Sequence, residues 1–156
     1  MSLFAPVVQP HRQRAQAPRQ VLARDDALLA SLDPADHAVF TGIAAWQNPQ
    51  GWAAFWDHVL PGFRAHHRAD AQELAKAFTP STTPETRFAT HEGPHLLVTG
   101  RQDHMVGRRD QLALPEHYPN MTYAALHGAG HNVHLDRPGP VGALFGTWLD
   151  EVAGRR

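Results

Sequence analysis

The sequence predicts an α/β fold of about three parallel strands, with flanking helices and an inserted helical cap. Three observations predict it. Residues 94–156 alternate strand, helix, strand, helix, the βαβα pattern of a parallel sheet. Residues 10–93 carry helix caps and apolar groups at helical spacing. Residues 1–9 open on an apolar run that reads as a strand. The organisation expected is therefore a leading strand of the sheet (1–9), a helical cap or lid (10–93) and a C-terminal βαβα part of the core (94–156).

Leu3-Phe-Ala-Pro-Val-Val8 is the leading strand, closed by Gln9-Pro10. A chain that opens inside a buried strand is expected to have lost what preceded it. Residues 11–24, rich in Arg, Gln and Ala and interrupted by Pro18, read as loop with a partial helix. Residues 25–32 suit a short helix with acidic residues at its positive end. Asp33-Pro34 starts the next, Asp33 as N-cap and Pro34 where no amide is needed, running to about Ala45. Asn48-Pro49 starts a third, with Trp52, Phe55, Trp56 and Val59 on one face. Pro61-Gly62 is expected to interrupt it, with helix resuming over Phe63–Phe78. Residues 79–94 read as a linker. After that, His95–Gly100 is a buried strand, Arg108–Glu116 a helix broken at Pro115, Met121–Leu126 a strand, and Gly128–Pro138 a loop. Pro140–Ala153 is an amphipathic helix.

Composition excludes several classes of function. There is no cysteine, hence no disulfide, thiolate metal site or cysteine nucleophile. The formal net charge of −1 provides no field to draw nucleic acid or an anionic membrane. All but one of the 14 basic residues are arginine, Lys76 being the exception, which fits codon bias in a GC-rich genome. No apolar run is long enough to span a bilayer, and the basic residues near the start follow the apolar stretch, the wrong order for a signal peptide. A cytoplasmic protein without cofactor is the default expectation.

Chemistry concentrates in the tail. Pro94-His-Leu-Leu-Val-Thr-Gly-Arg-Gln-Asp103 ends a strand in glycine and sets an aspartate three residues on. Gly128-Ala-Gly-His131 follows the next strand, then Asp136-Arg-Pro138 and a helix bearing Trp148-Leu149. Residues following parallel strands gather at one sheet edge, where open α/β sheets place their sites. Taken singly, Asp103 reads equally as a loop-capping aspartate and His131 as a surface histidine. Taken together, the order resembles the C-terminal part of the α/β-hydrolase superfamily over residues 94–152. It extends more loosely to Leu3–Val8, which looks like that family's sixth strand leading into a cap. The resemblance implies that Asp103 is the acid and His131 the base of a catalytic triad. It implies a hydrolase of ester or similar bonds acting on a small-molecule substrate.

The third triad member departs from that pattern. None of Ser2, Ser31 and Ser81 lies in a Gly-x-Ser-x-Gly elbow. The expectation is thus a chain that supplies acid, base and lid without a nucleophile. The alternative is an inactive, truncated hydrolase acting as a binding or assembly module. His127, His131 and His134 have the four-and-three spacing of a ligand face, but Gly128 and Gly130 argue against the helix it requires, so no metal site is expected. Trp46, Trp52, Phe55, Trp56 and Phe63 give the cap an aromatic character that suits core packing or the lining of an apolar pocket. Because a three-stranded sheet has an open edge, the chain is expected to pair through the Leu3–Val8 strand with a second copy, to bind a complementary N-terminal half, or to behave as a partly disordered fragment. Leu96, Val98 or Tyr123 would then be exposed on faces lacking helices.

Overall fold

A computed structural model describes residues 1–9, 14–77, 82–86 and 91–154. Its main sheet has three parallel strands: β1 (Ser2–Phe4), β4 (His95–Gly100) and β5 (Met121–Leu126), in the order β1-β4-β5. The central strand, β4, is buried throughout and reads as the continuous apolar run of a strand covered on both faces. Leu3 aligns with Leu97 on one side, and Leu97 aligns with Tyr123 on the other.

Side chains of β4 alternate between two cores. Leu96 and Val98 pack with Ala129, Val133 and Val141, and against Leu144, Phe145 and Trp148 of the C-terminal helix α8 (Pro138–Gly154). Leu97 packs with Val8 and Leu114, and against Leu3, Tyr118 and Tyr123. The expected exposure of Leu96, Val98 or Tyr123 is therefore corrected. Leu96 and Val98 are 0% exposed because α8 covers their face, and Tyr123 is partly buried in the other core.

The leading strand is shorter than Leu3–Val8. Ala5 lies in the left-handed region (φ 44°), which breaks the extended run after one more ladder bond, Ala5 N to Val98 O. Pro6 follows with no amide to donate, and its carbonyl accepts from Gln111 Nε2 (2.7 Å) instead.

The segment expected to form the cap, called the cap below for its place in the chain, begins with β2 (Ala23–Arg24), which pairs in parallel with β3 (Trp46–Gln47), a ribbon that the reading of residues 11–24 as loop with a partial helix did not foresee. Residues 10–13 of that segment lie outside the described residues. Between the ribbon strands run α1 (Asp26–Ser31) and α2 (Pro34–Ile43), then come α3 (Pro49–His58), α4 (Leu60–Ala65) and α5 (Arg68–Ala77). Asp33 and Asn48 cap as expected, accepting from the amides of Ala35 and Gly51, while Asp25, expected as the first residue of its helix, is instead the N-cap of α1 and accepts from Leu28 N. The break expected at Pro61-Gly62 falls just before it, at Val59 between α3 and α4, so that Pro61 occupies the first turn of α4, where its missing amide costs nothing. A second interruption, at His66–His67, separates α4 from α5. Phe78, the predicted end of the last cap helix, lies outside the described residues, as do residues 79–81 and 87–90 of the expected linker. Leu29, Phe40, Phe55 and Leu60 form a core belonging to the cap alone.

In the tail, the helix expected over Arg108–Glu116 stops early as α6 (Arg108–Gln111), and the chain turns again as a 3₁₀ turn at Leu114–Glu116 around Pro115. The loop expected over 128–138 contains a short helix, α7 (Val133–Asp136), whose Val133 is drawn into the α8 core. The helix α8 starts at Pro138, with both Pro138 and Pro140 in its first turn.

Candidate active site

The two residues singled out by sequence meet at the C-terminal edge of the sheet. Gly100 ends β4, and the next turn places Asp103, 0% exposed, with its amide on Gly100 O. A buried carboxylate needs a full set of donors. Asp103 Oδ1 accepts from the amides of Met105 (2.7 Å) and Val106 (3.2 Å), and Oδ2 lies 3.1 Å from His131 Nδ1. An ionised carboxylate only accepts, so Nδ1 carries the proton and neutral His131 has its lone pair on Nε2. The His131 side chain is 31% exposed, leaving the ring within reach of a ligand, and among the described residues nothing hydrogen-bonds to Nε2.

Sequence reasoning missed what holds this pair in place. Gln102 is almost wholly buried, and its Oε1 accepts from the amides of Gly128 (2.9 Å) and Ala129 (3.2 Å), while its own amide donates to Ala129 O (2.9 Å). Asp136 Oδ2 accepts from Gly130 N (2.7 Å). Arg137 donates to His127 O (2.6 Å), and the Trp46 indole donates to Gly128 O (2.8 Å). Five backbone groups of residues 127–130 are thus occupied by side chains from three different segments. Burial raises the Asp136 pKa above its ordinary value, while the Gly130 amide opposes the shift.

Gly100 and Gly128 make the close approach possible. A Cβ on Gly100 would run into the carbonyls of Ala129 and Gly130, coming within 2.7 Å of the Ala129 carbonyl carbon. Gly128 has φ +77°, a conformation favoured by glycine. The sequence signal was available in Gly-x-x-Asp and Gly-x-Gly-His, but it marks the turns and not the Gln102 and Asp136 contacts.

The cap reaches this edge at several points. Trp46 makes the bond to Gly128, His104 Nε2 donates to Gly42 O (3.0 Å), and Ala45 Cβ sits where a side chain on Gly130 would fall. The rest of the aromatic group divides. Phe55 is buried, and Trp52 stacks beside it and edge-on to Phe40. Trp56 and Phe63 are exposed, with the Arg64 guanidinium 4.5 Å above the Trp56 ring.

Ser31 Oγ donates to Leu28 O within α1, and Ser2 pairs in register with Leu96, at the end of the sheet away from Asp103. Ser81 lies outside the described residues. The His134 pKa is lowered by partial burial and by the neighbouring His58 and His131. Among the described residues no three His, Asp or Glu side chains group as metal ligands, and no helix is long and apolar enough to cross a membrane.

The chain superposes on the crystal structure of an alpha/beta superfamily hydrolase from Oenococcus oeni PSU-1 with a TM-score of 0.82, over 97% of its length and at 23% identity. It covers 57% of that protein. No family model matches the sequence, and no curated protein matches it. The fold is that of the α/β hydrolases, seen over a little more than half of the neighbour's length.

Proposed function

We propose that Asp103 and His131 are the acid and base of an α/β-hydrolase that cleaves an ester or similar bond in a small molecule, and that residues 10–93 are its lid. The observation that supports this is the buried Asp103 carboxylate 3.1 Å from His131 Nδ1, which selects the tautomer with a free Nε2. In such a site Nε2 takes the nucleophile's proton, and the Asp103 carboxylate stabilises the imidazolium that forms. The nucleophile is proposed to come from outside these 156 residues, because no serine among them lies in a Gly-x-Ser-x-Gly elbow. The outer strand β1 is the proposed place for a complementary segment to pair.

The test has two parts. Nitrogen NMR of the purified chain should show His131 protonated on Nδ1 at neutral pH, and Asp103→Asn should disturb that tautomer. Hydrolysis of a nitrophenyl ester should be absent or barely detectable for the chain alone. With a complementary chain carrying the elbow, turnover should appear and fall by about 10⁴-fold in His131→Ala. Turnover by the chain alone that His131→Ala leaves unchanged would defeat the assignment. Turnover lost in His131→Ala but kept in all three serine variants would point to a water nucleophile instead. A non-catalytic binding module is the second reading, favoured by Ser2 lying at the opposite end of the sheet and by the Ser31 hydroxyl being engaged with Leu28 O within α1. It predicts no turnover under either condition.

A further inference from the structure

A second polar cavity lies beside the acid loop, apart from the His131 ring. It encloses about 220 Å³ between the chain entering the cap and the start of α6. Its polar lining is Gln16, Gln20, Arg101, Gln102, Arg108 and Arg109. Among the described residues no carboxylate lines it, and three arginines, two of them exposed, border one small space. Among the described residues none of the three forms an ion pair. Asp110, their neighbour in sequence, accepts from the Ala15 amide and lines a different cavity. Arg108 Nε is buried and has no hydrogen-bond partner.

Such an arrangement is costly unless something fills it. Like charges that converge repel, and an anion placed among them relieves the repulsion. The wall facing the arginines is held open by independent contacts: Gln16 Nε2 donates to Met105 O (2.8 Å), and Asp110 holds Ala15. The cavity is therefore preformed.

We infer that this cavity binds a small-molecule oxyanion, a carboxylate or a phosphate, through Arg101, Arg108 and Arg109. Planar guanidinium forks match both groups in bidentate geometry. The volume is below that of a pocket for a whole drug-sized ligand, so it suits an anionic head group. Gln16 and Gln20 add neutral donors at the rim. Gln102 lines the same cavity and holds the amides of Gly128 and Ala129, so the occupant sits against the side chain that fixes the histidine loop. The inference stands independently of the proposed hydrolase activity, since its test reads binding.

The experiment is calorimetric titration of the full chain with inorganic phosphate and, separately, with succinate, at low and high salt. At least one should bind with a stoichiometry of one, and the better of the two identifies the anion class. The double variant Arg101→Gln/Arg109→Gln changes only exposed positions and should retain the parent's circular dichroism. It should weaken binding by at least about tenfold, as should Arg108→Lys, which keeps the charge but loses the fork. Arg64→Gln, a cap arginine remote in sequence from the cavity, should leave affinity unchanged. Absence of saturable binding by either anion to roughly 10 mM would overturn the inference. So would equal weakening by Arg64→Gln and the double variant, since that would reduce the effect to overall charge.

Discussion

The cap and the tail solve the same problem by different means. The cap, residues 14–77, relies chiefly on apolar volume, Leu29, Phe40, Phe55 and Leu60 making a core of their own with Trp52 against it, and has one buried polar hub, Gln47, whose Nε2 donates to Thr41 O and Ala44 O. The tail, residues 91–154, adds to its apolar cores a layer of directed polar contacts, in which Gln102, Asp103, Asp136 and Arg137 each meet a stated backbone or ring atom. Apolar packing tolerates small shifts, whereas hydrogen bonds fail over fractions of an ångström. The difference teaches where position matters: the polar contacts fix the histidine loop atom by atom, while the apolar core fixes only how the helices around it pack.

The largest expected effect breaks the cap. Phe40 is fully buried among Trp52 and Phe55, so Phe40→Ala should cost about 4 kcal/mol. Denaturant unfolding measures the loss. The His131 ring signals of the folded fraction should stay where they are, because the cluster around Phe40 is separate from the one under α8. A His131 shift equal to that of the cap residues would show one shared core instead of two.

Gly100→Ala breaks the tail. The new Cβ meets backbone carbonyls on the histidine loop, which cannot yield as a flexible side chain would, so a cost of about 3 kcal/mol is expected. Unlike the cap variant, it should displace His131 from Asp103, seen as loss of the Nδ1–H signal. An unchanged signal with unchanged stability would mean the loop approach is looser than described.

Trp46→Phe tests the join between the two regions. It removes the donor to Gly128 O and should cost about 1 kcal/mol. Hydrogen exchange should speed up at residues 127–131 more than within α2 or α3. Equal acceleration in both would make Trp46 a core residue and nothing more.

The smallest effect depends on pH. His95 is buried at the base of the tail beside His91 and Tyr118. Burial, with help from the N-terminal ammonium and His91, lowers its pKa below 6.5. The unfolded chain then binds more protons than the folded one between the folded pKa and 6.5, so stability rises with pH across that window. Melting temperatures of the parent should fall on acidification through it. In His95→Phe the dependence should flatten, and an unchanged slope would assign it to other groups.

Much of this was legible in sequence for a simple reason. Caps, prolines and strand-ending glycines act through the residues next to them, so Asp33, Asn48 and Gly100 announced their turns. The pairing of Asp103 with His131 was legible too, because residues after parallel strands share an edge. What sequence alone could not decide depends on atoms far apart in the chain. The leading strand stops at Phe4 because Ala5 turns left-handed, a conformation no local pattern in Leu-Phe-Ala-Pro demands. The burial of Leu96 and Val98 follows from α8 folding back over β4. The roles of Gln102, Asp136 and Trp46 were invisible because a glutamine or tryptophan has no preferred partner until the fold brings a free amide or carbonyl to it. Local chemistry determined the elements and the site's two members; only the long-range closure of the chain decided what holds them in place.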